Sequence, residues 1–119
     1  MRFTHILSTE MKINLKYHHV GIPVNAPQKG EVYLKDYKTY HVGFETSEYG
    51  IELMRYDDDC PLPEIVRTKT HVAFEVDDVY EAVKGRNVII EPNSPSEGCI
   101  VAFIEENGYP VEFIQITGK

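Results

Sequence analysis

The sequence predicts an α+β protein made of two βαβββ modules, with the helix of the first module reduced or absent. A histidine-led strand occurs twice, as His19-Val20-Gly21-Ile22-Pro23-Val24 and as His71-Val72-Ala73-Phe74-Glu75-Val76. A turn followed by a strand with one glutamate inside an apolar run also occurs twice, Glu45 to Met54 and Glu105 to Ile114. Such self-similarity marks a duplicated half-domain and decides the fold class before any single element is assigned. At 119 residues the chain is one domain, long enough to bury roughly two thirds of its unfolded surface in a single core.

The elements follow in order. Residues 1–14 read as an N-terminal extension, neither a charged-then-apolar signal segment nor a spanning helix. Leu15 to Val24 is the first strand, ended by Pro23 and the Asn25-Ala26-Pro27 turn. Gln28 to Thr39 carries no sustained 3.6-residue apolar period, so no helix is expected there; Glu31 to Leu34 and Tyr37 to Glu45 read as short strands. The chain turns at Glu45 to Gly50 and runs back to Tyr56, completing a module over 15–56. Residues 57–69, opening with Asp57-Asp58-Asp59-Cys60-Pro61-Leu62-Pro63, form a polar, proline-marked linker to the second module, 70–116.

In that module, strand alternation sends Val72, Phe74 and Val76 to one face and His71, Ala73 and Glu75 to the other. Asp77 and Asp78 cap a short helix with Val79, Ala82 and Val83 at helical spacing, and Gly85 ends it. Asn87 to Glu91 and Cys99 to Glu105 are strands separated by the Pro92 to Gly98 loop. Asn107-Gly108 is a strong two-residue hairpin signal, and pairing across it sets Phe103 opposite Glu112. If the first module pairs likewise, Gly43 opposes Glu52 and His41 opposes Met54.

Composition narrows the partners. A net charge of -7 with scattered acidic residues argues against nucleic acid, whose phosphates are bound mainly by Lys and Arg. Cys60 and Cys99 form neither a metal-type nor a redox-type pair, so a reducing cytoplasm is the default expectation, with no membrane partner. A small-molecule substrate is the expected partner.

The four strand motifs "HHVGIPV", "YGIELMRY", "THVAFEVDD" and "GYPVEFIQ" resemble the vicinal oxygen chelate superfamily, which includes glyoxalase I, methylmalonyl-CoA epimerase, extradiol dioxygenases and the fosfomycin and bleomycin resistance proteins. The resemblance runs from about Lys16 to Gln115 and is nearest to the glyoxalase-like and epimerase-like members. It implies that the two modules curl into a shared cup, and that His19, Glu52, His71 and Glu112 hold one divalent ion. It further implies a homodimer, with ligands from one chain or shared between two. The missing first helix departs from the family pattern and leaves one face of the first sheet uncovered, to be covered by Phe3 to Leu7 or a second subunit. No basic cluster placed for glutathione or coenzyme A is present.

Elementary chemistry agrees with that ligand set. A glutamate in mid-strand, facing away from Ile51 and Leu53 or from Val111 and Phe113, needs a compensating partner. Two neutral imidazoles and two carboxylates balance a divalent cation, and this donor set suits zinc, nickel, cobalt, iron or manganese. Strand parity places the competing His18 with Val20 and Ile22 on the opposite face, so His19 is preferred. His41 faces the cup as an orienting or acid/base candidate. Glu75 and Asp77 lie near a strand end, where a solvated or capping role suffices, and Asp57 to Asp59 lacks the glycine and glutamate of a calcium loop. The expected function is a metal-dependent lyase or isomerase acting on vicinal oxygens, with Glu112 or Glu52 as proton acceptor. The alternatives are a metal-free binding cup of the bleomycin-resistance kind and a ring-cleaving dioxygenase.

Overall fold

The computed structural model describes residues 13–117, which fold into eight strands and four short helical segments. The strands are β1 (Lys16–Pro23), β2 (Val32–Leu34), β3 (Thr39–Val42), β4 (Ile51–Tyr56), β5 (His71–Glu75), β6 (Val88–Asn93), β7 (Cys99–Glu106) and β8 (Tyr109–Ile116). Two α-helical turns, α1 (Glu64–Thr68) and α2 (Val79–Ala82), and two 3-10 turns, Lys35–Tyr37 and Phe44–Thr46, complete the set. All strands join one mixed sheet in the order β2-β3-β4-β1-β5-β8-β7-β6. Its two ends repeat the same plan. β1 pairs in parallel with β4, β5 pairs in parallel with β8, and the halves meet where β1 runs antiparallel to β5.

Residues from β1 to β5, β7 and β8 line one cavity, because the sheet curls into the expected α+β cup. The convex side of the second half carries the main core, in which Val76, Val79, Ala82, Ala102, Ile104 and Phe113 are all buried. Asp78 caps α2 by accepting from the Tyr80 and Glu81 amides, as Asp N-caps do. Asn107 and Gly108 both adopt positive φ, the two-residue turn that matches strand twist. The resulting register pairs Phe103 with Glu112, and in the first half His41 pairs with Met54.

Within residues 57–69, Glu64–Thr68 is a helix whose Val66 is fully buried, and Cys60 is buried with its thiol donating to the Tyr37 carbonyl. Two local expectations are corrected. The polar segment before Thr39 contains a 3-10 turn, ended by Lys38 in the left-handed region, and β3 is therefore shorter than Tyr37 to Glu45. The parity argument for His18 also fails. The β1–β5 register slips between Tyr17 and His19, a bulge that turns His18 into the cup.

Among the described residues no helix covers the convex face of the first half, and Ile51 there is 41% exposed. The proposed cover, Phe3 to Leu7, lies outside the described residues. Ile13 packs against the main core. No helix among the described residues is long and apolar enough to cross a membrane.

Candidate metal centre

The sheet register brings the predicted quartet together in two adjacent rows. His19 pairs with Ala73, which pairs with Glu112; in the next row Gly21 pairs with both Glu52 and His71. All four functional side chains project from strands, whose pleat fixes their direction better than a loop would.

Their ligand atoms converge. Nε2 of His19 and Nε2 of His71 lie 3.4 Å apart. Glu112 Oε1 is 3.1 Å from His71 Nε2 and 3.4 Å from His19 Nε2. Glu52 Oε1 stands 3.6 Å from His19 Nε2. Ligand atoms at about 2.1 Å from a common tetrahedral or octahedral centre are about 3.0–3.5 Å from one another, so the spacings among His19, His71 and Glu112 fit a shared divalent ion. His19, His71 and Glu112 form the mutually close group, with ligand atoms all within 4.8 Å, and all three are buried. Glu52 borders this trio through His19.

The two histidines are held by different means. His19 Nδ1 lies 2.8 Å from His18 Nδ1. One of these two rings therefore donates to the other; were an ion to take Nε2, His19 would carry its proton on Nδ1 and donate to His18, the usual way a ligating imidazole is oriented. His18 stacks on Phe44 with centroids 4.7 Å apart, and burial, with His19 beside it, pushes its own pKa down. His71, by contrast, has a buried Nδ1 with no hydrogen-bond partner among the described residues. Its ring packs edge-on against Phe103 and covers Gly21, where an added Cβ would sit 2.2 Å from Cε1.

The carboxylates differ too. Burial alone would raise the pKa of Glu112, yet hydrogen bonding to His19 and His71 outweighs it and holds the group at about 2. Glu52 turns its second oxygen to His41, whose Nδ1 is 2.9 Å away. That contact raises the His41 pKa against the opposing effect of burial.

The cavity beside the cluster has a volume of about 260 Å³. Leu34 and Tyr37 from the segment before β3, and Pro95 and Ser96 from the β6–β7 loop, help to line it. Tyr56 also faces it, its pKa raised by burial and by the nearby Glu112, Cys60 and Glu52. His18 is the site residue that sequence parity missed; a bulge leaves no reliable signal in a single sequence, although two adjacent histidines were visible.

Comparison with known proteins gives two kinds of likeness. No family model matches the chain. Lactoylglutathione lyases of Neisseria meningitidis serogroup A and serogroup B are each 44% identical over 52 residues, 38% of this chain. The match spans 38% of the length of each of those relatives. Among solved structures, the hypothetical protein BH1468 from Bacillus halodurans C-125 superposes with a TM-score of 0.68 at 21% identity, covering 89% of this chain and 97% of that one. That structural likeness establishes the fold alone.

Proposed function

We propose that the chain is a divalent-metal-dependent, glyoxalase-like lyase or isomerase acting on a small molecule with adjacent oxygens. The observation that carries this reading is the convergence of His19, His71 and Glu112 at ligand spacing, with Glu52 at its border. The partial likeness to lactoylglutathione lyases supports the same chemistry. A divalent ion held by His19, His71, Glu112 and Glu52 would supply Lewis acidity, stabilising negative charge on an oxygen beside the carbon that loses a proton.

The chain's own residues divide the remaining work. Glu112 Oε1 is engaged by two imidazoles and serves as an anchor. Glu52 is the better proton acceptor, because one oxygen borders the cluster while the other contacts His41. His41 has a 29% exposed side chain, so it can pass a proton between Glu52 and solvent. The deep apolar walls exclude water from the reacting end and strengthen every electrostatic contact there.

Elemental analysis of purified protein beside a His71→Ala variant tests the reading. One divalent ion per chain, lost in the variant, is the expected result. No ion after incubation with zinc or nickel would overturn it and leave a metal-free binding cup.

The mutually close trio is a two-histidine, one-carboxylate set, and this favours a ring-cleaving dioxygenase as the second reading. Oxygen consumption by the iron(II)-loaded protein with catechol would select it.

A further inference from the structure

We infer that the site takes a compact chelating ligand whose body is uncharged and apolar, and that it discriminates against ligands carrying a second anionic group. This deepens the metal-centre reading and rests on it. Among the described residues, the charged or titratable oxygen- and nitrogen-bearing groups lining the cavity are carboxylates, imidazoles and tyrosine hydroxyls, with neither lysine nor arginine. Away from the cluster the wall includes Leu34, Met54, Leu62, Val66, Ile114 and Ile116, with the uncharged Thr39 and Ser96 among them. At about 260 Å³ the space falls below the roughly 300–1,000 Å³ of a site for a drug-sized molecule.

Three cations beside lining residues are committed elsewhere, while Lys35 sits exposed on the rim turn. Arg55 lies between Met54 and Tyr56 on β4, yet its guanidinium makes two hydrogen bonds to Glu31, at 2.9 and 2.7 Å, and stacks on Tyr40. Arg67 follows Val66 on α1 and donates to the Leu62 carbonyl at 3.0 Å. Lys38 pairs with Asp59. A carboxylate or phosphate buried within the cavity would therefore lose its hydration without gaining a cation from the lining described, and would approach Glu52 and Glu112. An apolar ring meets walls that repay its burial.

The test uses the full chain loaded with cobalt(II), whose visible absorption reports both ion and ligand binding. Three probes share one vicinal-oxygen chelating head: acetohydroxamate, benzohydroxamate and 4-carboxybenzohydroxamate. Benzohydroxamate is expected to bind about tenfold or more tighter than acetohydroxamate, since burying its ring removes apolar surface from water. The carboxylated probe is expected to lose that gain, and Leu62→Lys to restore it. Equal or tighter binding of the carboxylated probe to the unaltered chain overturns the inference and leaves the metal centre standing. So does a cobalt spectrum that none of the three probes alters. Failure to bind cobalt at all overturns the metal centre and this inference with it.

Discussion

The imidazole of His71 occupies the space that a side chain at Gly21 would need. A Cβ built on Gly21 falls 2.2 Å from Cε1, 2.7 Å from Nε2 and 2.8 Å from Nδ1 of that ring. The glycine is paired with His71 across β1–β5, and the ring has no hydrogen bond at Nδ1 among the described residues, so packing together with the Nε2 contact to Glu112 sets its position. Gly21→Ala should therefore displace the ring, costing about 1–3 kcal/mol of stability, the usual range for overpacking, together with metal affinity. Adding His71→Ala should recover the stability but not the metal, a non-additivity that melting curves and metal titrations of the four proteins would show. Additive losses would mean that the ring and the glycine are independent.

His19 depends on a hydrogen bond where His71 depends on packing. In His18→Phe the stacking on Phe44 is kept while the partner of His19 Nδ1 is removed. Metal affinity should fall about 10–100-fold, as for other partners of ligating histidines, with little change in melting temperature. Competition against a coloured chelator measures it. An unchanged affinity would reduce His18 to a packing residue.

Most of this arrangement was legible in the sequence because it depends on pairing and alternation. Phe103 opposite Glu112 follows from the Asn107-Gly108 turn, and His41 opposite Met54 from the parallel logic of the first hairpin. The small residues of the two histidine strands, Gly21 and Ala73, mark the places paired with the opposing histidines. What escaped depends on breaks in periodicity. The bulge between Tyr17 and His19 reverses the face of one residue without altering composition, and α1 is too short, at five residues, to show a helical period. Val66 is the one buried residue of that turn, and the single pair Ile65-Val66 does not announce a helix.

The two glutamates should not contribute equally to holding an ion. Glu112 belongs to the close trio and touches both imidazoles, whereas Glu52 borders it through His19 and shares itself with His41. Glu112→Gln should lose most of the bound metal at equilibrium. Glu52→Gln should retain a metal at lower affinity, and His41→Ala should shift that affinity less than Glu52→Gln does. Metal content after dialysis against a graded series of chelator concentrations ranks them. Equal losses in the two glutamate variants would mean a symmetric four-ligand site.

Acid should weaken one clamp at the rim of the cup in a predictable direction. Arg55 on β4 grips Glu31 with two hydrogen bonds, fastening the start of the segment that carries Leu34 and Tyr37 into the cavity wall. The hydrogen bonds from Arg55, opposed by burial, hold the Glu31 pKa below its ordinary value, about 4.3 for a free glutamate. A depressed folded-state pKa means that the unfolded chain takes up the proton first. The stabilising contribution is thus complete above the unfolded-state value and disappears as pH falls through the folded-state one. Glu31→Gln, which removes the charge, should lower the urea midpoint at neutral pH, and the gap from the unaltered protein should narrow steadily below about pH 4.3. A gap of constant size from neutral pH down to about pH 3 would show that the pair stabilises the fold by shape rather than by charge.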